Sequence, residues 1–359
     1  MNVIFVCTKA ITFNTFLNSQ ANFLSKKGFK IGVVCSDVKK LNIKNSFSYT
    51  INFPLRLIET FNIFKYIKIF FQINNLIKKY KSSIFYLHTP VASHIFRFFS
   101  LFYDLKIIYF VHGFRFTSKT KFLNGFFFKV IEKLLSYKNK VVITINYEDY
   151  DYANKNLFYK VPIYKINGIG IDLNQKNANK IKFKKKIKKI IVIAAYKNAK
   201  GYFELIKVAQ LIKKKNFEID CYGYGDSKKF KDLILQKKLT NITFKKFDKN
   251  LSKKITNYDL LLHLSKREGL PVSVMECLSQ GIPVVCYQIR GNKDLISDGF
   301  NGFFIKSYKE VPYKIYYLNL ENQIFHNMRI NSINSITKDF SKIEINKKIY
   351  NIIKKNFNK

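Results

Sequence analysis

Short apolar runs alternate with longer, helix-like segments through the first half of the chain. Each short run is typical of a buried strand, and each longer segment places its apolar side chains on one helical face. The predicted strands are Val3–Cys7, Lys30–Cys35, Ser83–Leu87, Lys106–Val111 and Lys140–Ile145. The predicted helices are Thr15–Lys27, Phe61–Lys79, Ser93–Phe102 and about Phe122–Leu135. This alternation predicts a parallel sheet with helices on both faces.

The same alternation restarts after a stretch rich in Lys and Asn, about Asn174–Lys189, which we interpret as an interdomain linker. The strands predicted beyond it are Ile190–Ala194, Glu218–Tyr222, Ile242–Phe244, Leu260–Leu264 and Ile282–Tyr287. The helices predicted there are Tyr202–Lys215, Ser227–Lys238, Pro271–Gln280 and about Lys342–Lys355.

We therefore predict an α/β protein with two Rossmann-like domains and a cleft between them. The length of 359 residues suits two domains. The domains are expected at residues 1–173 and 174–340, and the helix within residues 341–359 is expected to pack back towards the first domain.

The charge of the chain is strongly unbalanced. Lys and Arg total 64 against 23 Asp and Glu, which gives a formal net charge of +41. One explanation is an AT-rich genome, because Lys, Asn, Ile, Phe and Tyr dominate and Trp is absent. The other is attraction to a polyanion, either nucleic acid or an anionic membrane surface. The charge alone leaves both explanations open.

The remaining composition indicates a cytosolic protein. The five cysteines lie far apart without a zinc-binding spacing, so we expect reduced and mostly buried thiols. The N-terminus enters a predicted strand without a charged leader, which predicts no signal peptide. No uncharged apolar run is long enough to predict a transmembrane helix.

The clearest chemical signal follows predicted strand Leu260–Leu264, where the chain reads Arg-Glu-Gly-Leu-Pro-Val-Ser-Val-Met-Glu. Pro271 suits the first turn of a helix, and Gly281 suits the left-handed cap that ends it. The free N–H groups of such a helix start form an anion site suited to a pyrophosphate.

Two carboxylates flank this predicted anion site. Glu268 precedes it and Glu276 lies within the helix, while Gly269 lets a ligand approach the backbone closely. Carboxylates accept hydrogen bonds from vicinal hydroxyls. The pattern therefore indicates a sugar nucleotide, with its phosphates at the helix and its hydroxyls at the glutamates.

The two glutamates resemble the Glu-(seven residues)-Glu signature of retaining glycosyltransferases of family 4, whose fold is GT-B. The resemblance continues through Ser279–Val285, Arg290–Ile296 and Asp298–Phe303. It implies that Glu276 holds the donor ribose and that Glu268 contacts hydroxyls of the transferred sugar. It also implies that Gly269, Leu270 and Pro271 bind the donor.

Lys200-Gly201 resembles the phosphate-binding element of the same family. The arginine that the family usually carries six residues before the glycine is Ala195 here. The resemblance therefore implies a catalytic role for Lys200, with Lys197 as the second positive charge. Gly223 and Gly225 resemble the family's strand-end turn near the nucleotide base.

Segments of the first half resemble the capsular and exopolysaccharide branch of the family, namely Leu87–Ser93, His112–Phe116, Ile145–Tyr150 and Asn167–Asp172. That branch elongates lipid-linked glycans from UDP-sugars. The resemblance implies that His112 lies near the reacting carbon of the donor sugar, at a strand end where open α/β sheets bind ligands. His88 and Arg115 are expected on the acceptor side. Arg115 departs from the family, since many relatives carry a histidine there.

The expected activity is metal-independent transfer, with retention, of a hexose or N-acetylhexosamine from a UDP-sugar to a lipid-linked saccharide. We expect no cofactor and no metal, and we interpret Asp149 and Asp151 as acids at a helix start. His263 is interpreted as a core residue. The alternatives are a glycosyltransferase with a soluble acceptor and a basic nucleic-acid-binding protein, although no nucleic-acid-binding motif accompanies the charge.

Two segments predict contact with an anionic membrane on its cytoplasmic side. Phe61–Lys79 and Lys119–Lys133 combine aromatic runs with lysines, which suits the headgroup boundary. The alternative is that these aromatic side chains belong to the core. Phe126–Phe128 favours the membrane, because three consecutive phenylalanines on one helix cannot all face one core.

Overall fold

The computed structural model describes residues 1–43, 46–54, 63–117, 120, 122–157, 161–173, 183, 186–213, 216–248 and 250–357. The chain divides into two compact units. The first is Met1–Gly170 with Lys342–Lys359, and the second is Ile171–Ser341. Most of the predicted linker and the predicted membrane-facing Lys119 and Lys121 lie outside the described residues.

A parallel sheet of seven strands forms the centre of the first unit. The strands are β1 (Asn2–Val6), β2 (Lys30–Cys35), β3 (Ser46–Thr50), β4 (Ile84–Leu87), β5 (Lys106–Val111), β6 (Val141–Thr144) and β7 (Ile163–Lys165). Their order is β3-β2-β1-β4-β5-β6-β7, with every pairing parallel. The direction of connection reverses between β1 and β4, which is where open sheets of this type bind ligands.

Helices cover both faces of this sheet. They are α1 (Ala10–Thr12), which continues through the π-helical Phe13–Leu17 into α2 (Asn18–Lys26), then α3 (Ile63–Lys79), α4 (Pro90–Phe99), α5 (Phe122–Ser136) and α6 (Tyr147–Asn156). Alternate strand residues such as Ile4, Phe85 and Ile107 pack with α3 and α4 in one core cluster. Right-handed crossovers place α3, α4 and α5 together on that face.

The second unit repeats this plan with six parallel strands. They are β8 (Lys189–Ile193), β9 (Glu218–Tyr222), β10 (Ile242–Lys245), β11 (Leu260–His263), β12 (Val284–Tyr287) and β13 (Gly302–Ile305), in the order β10-β9-β8-β11-β12-β13. The helices are α7 (Tyr202–Leu211), α8 (Lys228–Gln236), α9 (Leu251–Lys254), α10 (Val272–Ser279), α11 (Val311–Leu320) and α12 (Asn322–Ser335). The connection reverses between β8 and β11.

The last helix, α13 (Lys342–Phe357), belongs to the first unit. It packs on α2, where Asn346 Nδ2 donates to Ser19 Oγ at 3.2 Å. The Tyr350 ring contacts the Phe23 ring at 6.4 Å between centroids. Among the helices that the structure describes, none is both long and apolar enough to cross a membrane.

The two parallel sheets confirm the predicted α/β fold with two Rossmann-like domains. At the central motif the structure corrects one detail, because Pro271 is the extended residue before α10, and the helix begins at Val272. Gly281 takes the predicted left-handed conformation, with φ at 72°. The N–H groups of Gly281 and Ile282 then donate to the carbonyls of Leu278 and Cys277, which caps the helix.

Candidate active site

Glu268 lies in the loop between β11 and α10, and its carboxylate is paired. Its Oε1 is 2.5 Å from Lys200 Nζ and 3.4 Å from His263 Nε2. Burial alone would raise the pKa of this carboxyl group, but His263 and Lys200 together lower it to about 2. Glu268 is therefore ionised at neutral pH, and it meets Lys200 where the connection of the sheet reverses.

His263 is buried as predicted, with 3% of its surface exposed. Its position at the end of β11 nevertheless turns the ring towards Glu268, which the interpretation as a core residue missed. The sequence offers one signal that could have found this contact. His263 ends a strand five residues before Glu268, at the carboxyl edge where ligand sites form.

Gly201 allows the loop that contains Lys200, here called the lysine loop, to approach the end of β11. Its φ is 79°, and a Cβ atom there would lie 2.1 Å from the carbonyl oxygen of Leu264. The backbone N–H of Lys266 donates to the carbonyl of Ala199 at 2.9 Å. These contacts hold Lys200 beside the loop that contains Glu268, here called the glutamate loop. They also explain why a glycine follows Lys200.

A second glycine fixes the other side of the glutamate loop. The buried Arg290 donates from Nε to the carbonyl oxygen of Glu268 at 3.0 Å. Gly291, with φ at 79°, packs so closely that a Cβ atom would lie 2.1 Å from the carbonyl oxygen of Gly269. The backbone on both sides of the Glu268 side chain is thus held in place.

The N-terminus of α10 lies between the two predicted glutamates along the chain. Leu270 and Pro271 are buried where the loop enters the helix. Glu276 is partly buried in the second turn of α10. The first N–H groups of any α-helix lack partners within the helix, and they carry partial positive charge. This end of α10, four residues after Glu268 in the chain, therefore favours an anion.

The turn after β9 lies against the end of β8. At Gly223 a Cβ atom would lie 2.1 Å from the carbonyl oxygen of Ala194, so only glycine fits. Gly225 takes a φ of 100°, which also favours glycine. Lys197, in the loop after β8, is exposed. Both predicted glycines and both predicted lysines therefore lie at the same carboxyl edge of the second sheet.

His88 and His112 meet at the carboxyl edge of the first sheet. His88 Nδ1 lies 3.1 Å from His112 Nε2, and the buried His88 ring stacks on Phe5 with centroids 5.6 Å apart. Beside them Thr89 Oγ1 accepts the Thr8 N–H at 2.9 Å. The Thr8 hydroxyl also lies 2.6 Å from that oxygen. These residues follow β1, β4 and β5, which are neighbours in the sheet.

Both histidines are neutral at pH 7. Burial lowers the pKa of His112 to about 4. Burial also lowers the pKa of His88 well below its ordinary value, and the neighbouring His112 lowers it further. Protonating either ring would place a positive charge in a poorly solvated position beside the other ring.

Two other predicted features have structural explanations. Arg115 stacks its guanidinium over the Phe128 ring at 5.0 Å. Asp149 is buried at the start of α6, where Asn146 donates to its carboxylate at 2.7 Å and accepts its N–H at 2.8 Å. Asp149 thus takes part in capping a helix, as the sequence indicated, while Asp151 is exposed.

All five cysteines are buried, and none forms a disulfide. Within the part of the chain that the structure describes, no three His, Cys, Asp or Glu side chains lie close enough to hold one metal ion. Independence from metal ions stays a prediction for experiment.

Two family models match successive parts of the sequence. Residues 5–146 match the model described as glycosyl transferase 4-like. Residues 174–330 match the model described as glycosyl transferases group 1.

Curated relatives are distant but extend over much of the chain. EpsD of Bacillus subtilis (strain 168), assigned as a glycosyltransferase, is 27% identical over 252 residues, which are 66% of this chain and 66% of EpsD. The UDP-Gal:alpha-D-GlcNAc-diphosphoundecaprenol alpha-1,3-galactosyltransferase of Escherichia coli is 23% identical over 304 residues, which are 79% of this chain and 78% of that protein.

Solved structures share the architecture at low identity. Sucrose-phosphate synthase from Thermosynechococcus elongatus superposes with a TM-score of 0.81 at 11% identity, over 99% of both chains. Anabaena Alr3699/HepE in complex with UDP and glucose gives 0.75 at 15% identity, over 99% of this chain and 100% of that one. The two family matches and the relatives support a glycosyltransferase, and the solved structures share the architecture of two Rossmann-like domains.

Proposed function

We propose that this protein is a retaining glycosyltransferase that moves a hexose or N-acetylhexosamine from a UDP-sugar to a hydroxyl of a lipid-linked saccharide. The observation that carries the proposal is the Lys200–Glu268 pair at the N-terminus of α10, where the connection of the second sheet reverses. Lys200 and the helix N-terminus would bind the phosphates there, and Glu268 and Glu276 would bind hydroxyls, as a sugar nucleotide requires.

The donor would bind by its phosphates and by its two sugars. The pyrophosphate would accept hydrogen bonds from the first N–H groups of α10 and from Lys200, which would also stabilise the leaving UDP oxygen. Glu276 would accept bonds from the ribose hydroxyls, and Glu268 would accept bonds from the transferred sugar. Lys197 would add a further positive charge near the phosphates.

His112 would donate a hydrogen bond to the transferred sugar through Nδ1. The buried His88 Nε2 has no hydrogen-bond partner among the described residues. Because buried N–H groups are rarely left unpaired, the His88 proton belongs on Nδ1, which donates to His112 Nε2. His112 then carries its proton on Nδ1. In this arrangement His88 fixes the tautomer that acts as the donor.

One relative supports the proposed acceptor and location. The Escherichia coli relative is named for a diphosphoundecaprenol-linked acceptor, which favours a lipid-linked saccharide for this chain as well. Such acceptors are held in membranes. The proposed location is therefore the inner face of the cytoplasmic membrane, with His88 and Arg115 on the acceptor side and nucleic acid not a partner.

A donor screen tests the proposal. UDP- and GDP-sugars are added to the purified protein, and a ligand that binds the folded state raises the melting temperature. We expect UDP-sugars to do so in EDTA, and mass spectrometry to show one added sugar on a lipid-linked saccharide. Glu276→Ala should weaken donor binding by about 2–3 kcal/mol, as loss of a charged hydrogen bond does.

Several results would contradict the proposal. Stabilisation by GDP-sugars alone would exclude the UDP donor, and transfer only to soluble glucans would exclude the lipid-linked acceptor. Activity that disappears in EDTA and returns with magnesium would exclude metal independence. An inverted anomeric configuration of the product by NMR would exclude retention.

A further inference from the structure

Three helices of the first unit present large apolar side chains to solvent. The exposed fractions are 47% for Phe70 and 58% for Phe71 in α3, and 49% for Phe98 in α4. In α5 they are 57% for Phe127 and 60% for Leu134. We call this surface the three-helix face. Contiguous exposed apolar patches mark interaction sites, whereas apolar residues scattered singly over a surface are normal.

A groove runs between the helices of this face. Its volume is about 550 Å³, and α3, α4 and α5 all contribute to its walls, through residues such as Ile69, Ile95, Phe98, Ile131 and Leu134. Pockets that hold small ligands range from roughly 300 to 1,000 Å³. The groove is therefore large enough for a ligand.

The lining of the groove excludes sugars and nucleotides as occupants. Only Tyr66 and His94 among the lining residues carry polar side-chain atoms. His94 Nδ1 lies 2.5 Å from the Pro90 carbonyl oxygen, and Nε2 lies 3.1 Å from Glu132 Oε1, inside the protein. A polar ligand would lose its hydrogen bonds to water and find few replacements. A hydrocarbon chain matches these walls.

The charges on these three helices favour an anionic partner. Glu132 is the sole acidic residue in the sequences of α3, α4 and α5, and it is buried against Arg97 at 2.7 Å. Lys68, Lys129 and Lys133 are exposed on the same helices. A second copy of this chain would bring like charges together, whereas an anionic bilayer would be attracted.

We propose that the three-helix face lies on an anionic lipid bilayer and that the groove takes one hydrocarbon chain of a bilayer lipid. This inference rests on the proposed location at a membrane, but not on the donor or the acceptor. The aromatic side chains around the groove would enter the headgroup boundary, while the lysines would contact anionic headgroups. The lipid chain would cover apolar surface that is otherwise exposed to water.

The absence of Trp from the chain allows a site-specific test. Leu134→Trp places one Trp in the groove, and Phe127→Trp places one on the same face outside it. Leu235→Trp, at a position in the second unit that is 74% exposed, is the control. Leu101→Trp, also in the groove lining, replaces Leu134→Trp if that variant melts below the unmodified protein.

Two brominated probes, which quench Trp emission on contact, separate the face from the groove. Vesicles of phosphatidylcholine and phosphatidylglycerol with brominated chains should quench Leu134→Trp and Phe127→Trp but not Leu235→Trp. A brominated fatty acid below its micelle concentration, without vesicles, should quench Leu134→Trp saturably and leave Phe127→Trp unchanged.

Other outcomes would overturn the proposal. Vesicle quenching without fatty-acid quenching would leave the groove empty. Equal quenching of all three variants would mean nonspecific adsorption. A concentration-dependent dimer that disappears in Leu134→Trp would assign the face to a second copy. Because no sugar nucleotide is present, failure here leaves the donor screen unaffected.

Discussion

At the scale of single residues, the ionisation states at the two sheet edges are set by burial and by contacts between neighbouring strands. Lys200 follows β8 and His263 ends β11, and both hold Glu268 as a carboxylate. At the edge of the first sheet, burial keeps His88 and His112 neutral. One edge thus offers fixed charge, and the other offers neutral hydrogen-bonding groups.

Glu268→Gln tests the fixed charge. The side chain keeps its size but loses its ion pair with Lys200, so turnover should fall about 10- to 100-fold if a charged hydrogen bond contributes roughly 1.5–3 kcal/mol. Steady-state kinetics with the donor found in the screen measures this. Glu204→Gln is the matched control, since Glu204 pairs with Lys266 at 3.1 Å instead. Unchanged turnover in Glu268→Gln would remove that residue from the chemistry.

The low pKa of His112 predicts how stability depends on pH. The unfolded chain binds a proton near pH 6.5, but the folded one does so only near pH 4, so stability falls as pH decreases between these values. The loss from this residue is about 3 kcal/mol at most. Denaturant unfolding at pH 7 and 4.5 should therefore differ less in His112→Gln than in the unmodified protein. An equal difference in both would mean that His112 titrates normally.

At the scale of elements, glycines decide how closely the loops around the site approach one another. Gly201 brings the lysine loop to the end of β11, and Gly291 brings the loop after β12 to Gly269. Neither approach depends on side-chain chemistry, because a Cβ atom at either position would collide with backbone. These loops therefore position Glu268 through steric exclusion as well as hydrogen bonds.

Substitution at two glycines separates close approach from backbone conformation. Gly291 and Gly299 both have positive φ, but a Cβ atom meets the Gly269 carbonyl only at Gly291, while Gly299 has open space. Gly299→Ala should cost about 1–2 kcal/mol for the left-handed conformation alone. Gly291→Ala should cost more and should weaken donor binding. Thermal unfolding and donor titration measure both effects, and equal losses would contradict a role for the close contact.

At the scale of the whole molecule, the net charge of +41 has two candidate explanations, an AT-rich genome and an anionic partner. The structure adds that the exposed aromatic side chains of α3 and α5 lie on helices with exposed lysines. It also divides the phenylalanine run of α5, because Phe126 and Phe127 are exposed whereas Phe128 packs on the core. The aromatic pair, rather than the whole triplet, is available to a membrane.

Vesicle binding tests which explanation holds. Each lysine near an anionic surface contributes about 1 kcal/mol at low salt, and the Debye length is roughly 10 Å at 0.1 M salt. Cosedimentation should therefore need anionic lipid, weaken with salt and fall when Phe126 and Phe127 become Ser. Phe300→Ser, at a position in the second unit that is 48% exposed, should bind like the unmodified protein. Equal binding to neutral vesicles would assign the charge to genome bias.

The sequence by itself determined the fold class and the central strands. The predicted bounds of β2, β5 and β9 match the structure, and β2 and β5 do so because buried parallel strands are nearly continuous apolar runs. Strands β3, β7 and β13 were not predicted. Strand β3 is polar in part and β7 has only three residues, whereas β13 is a four-residue apolar run, Gly-Phe-Phe-Ile, that the strand prediction missed. All three are edge strands, and of the four edge strands only β10 was predicted.

Tertiary structure alone decided which side chains meet. His88 and His112 follow different strands, and so do Lys200 and Glu268. The contact of His263 with Glu268 depends on the path of the loop between them. The groove likewise forms from three helices separated along the chain. The physical reason is that periodicity specifies which face of an element is buried. Distances between elements are set only when parallel strands and glycine contacts bring their ends together.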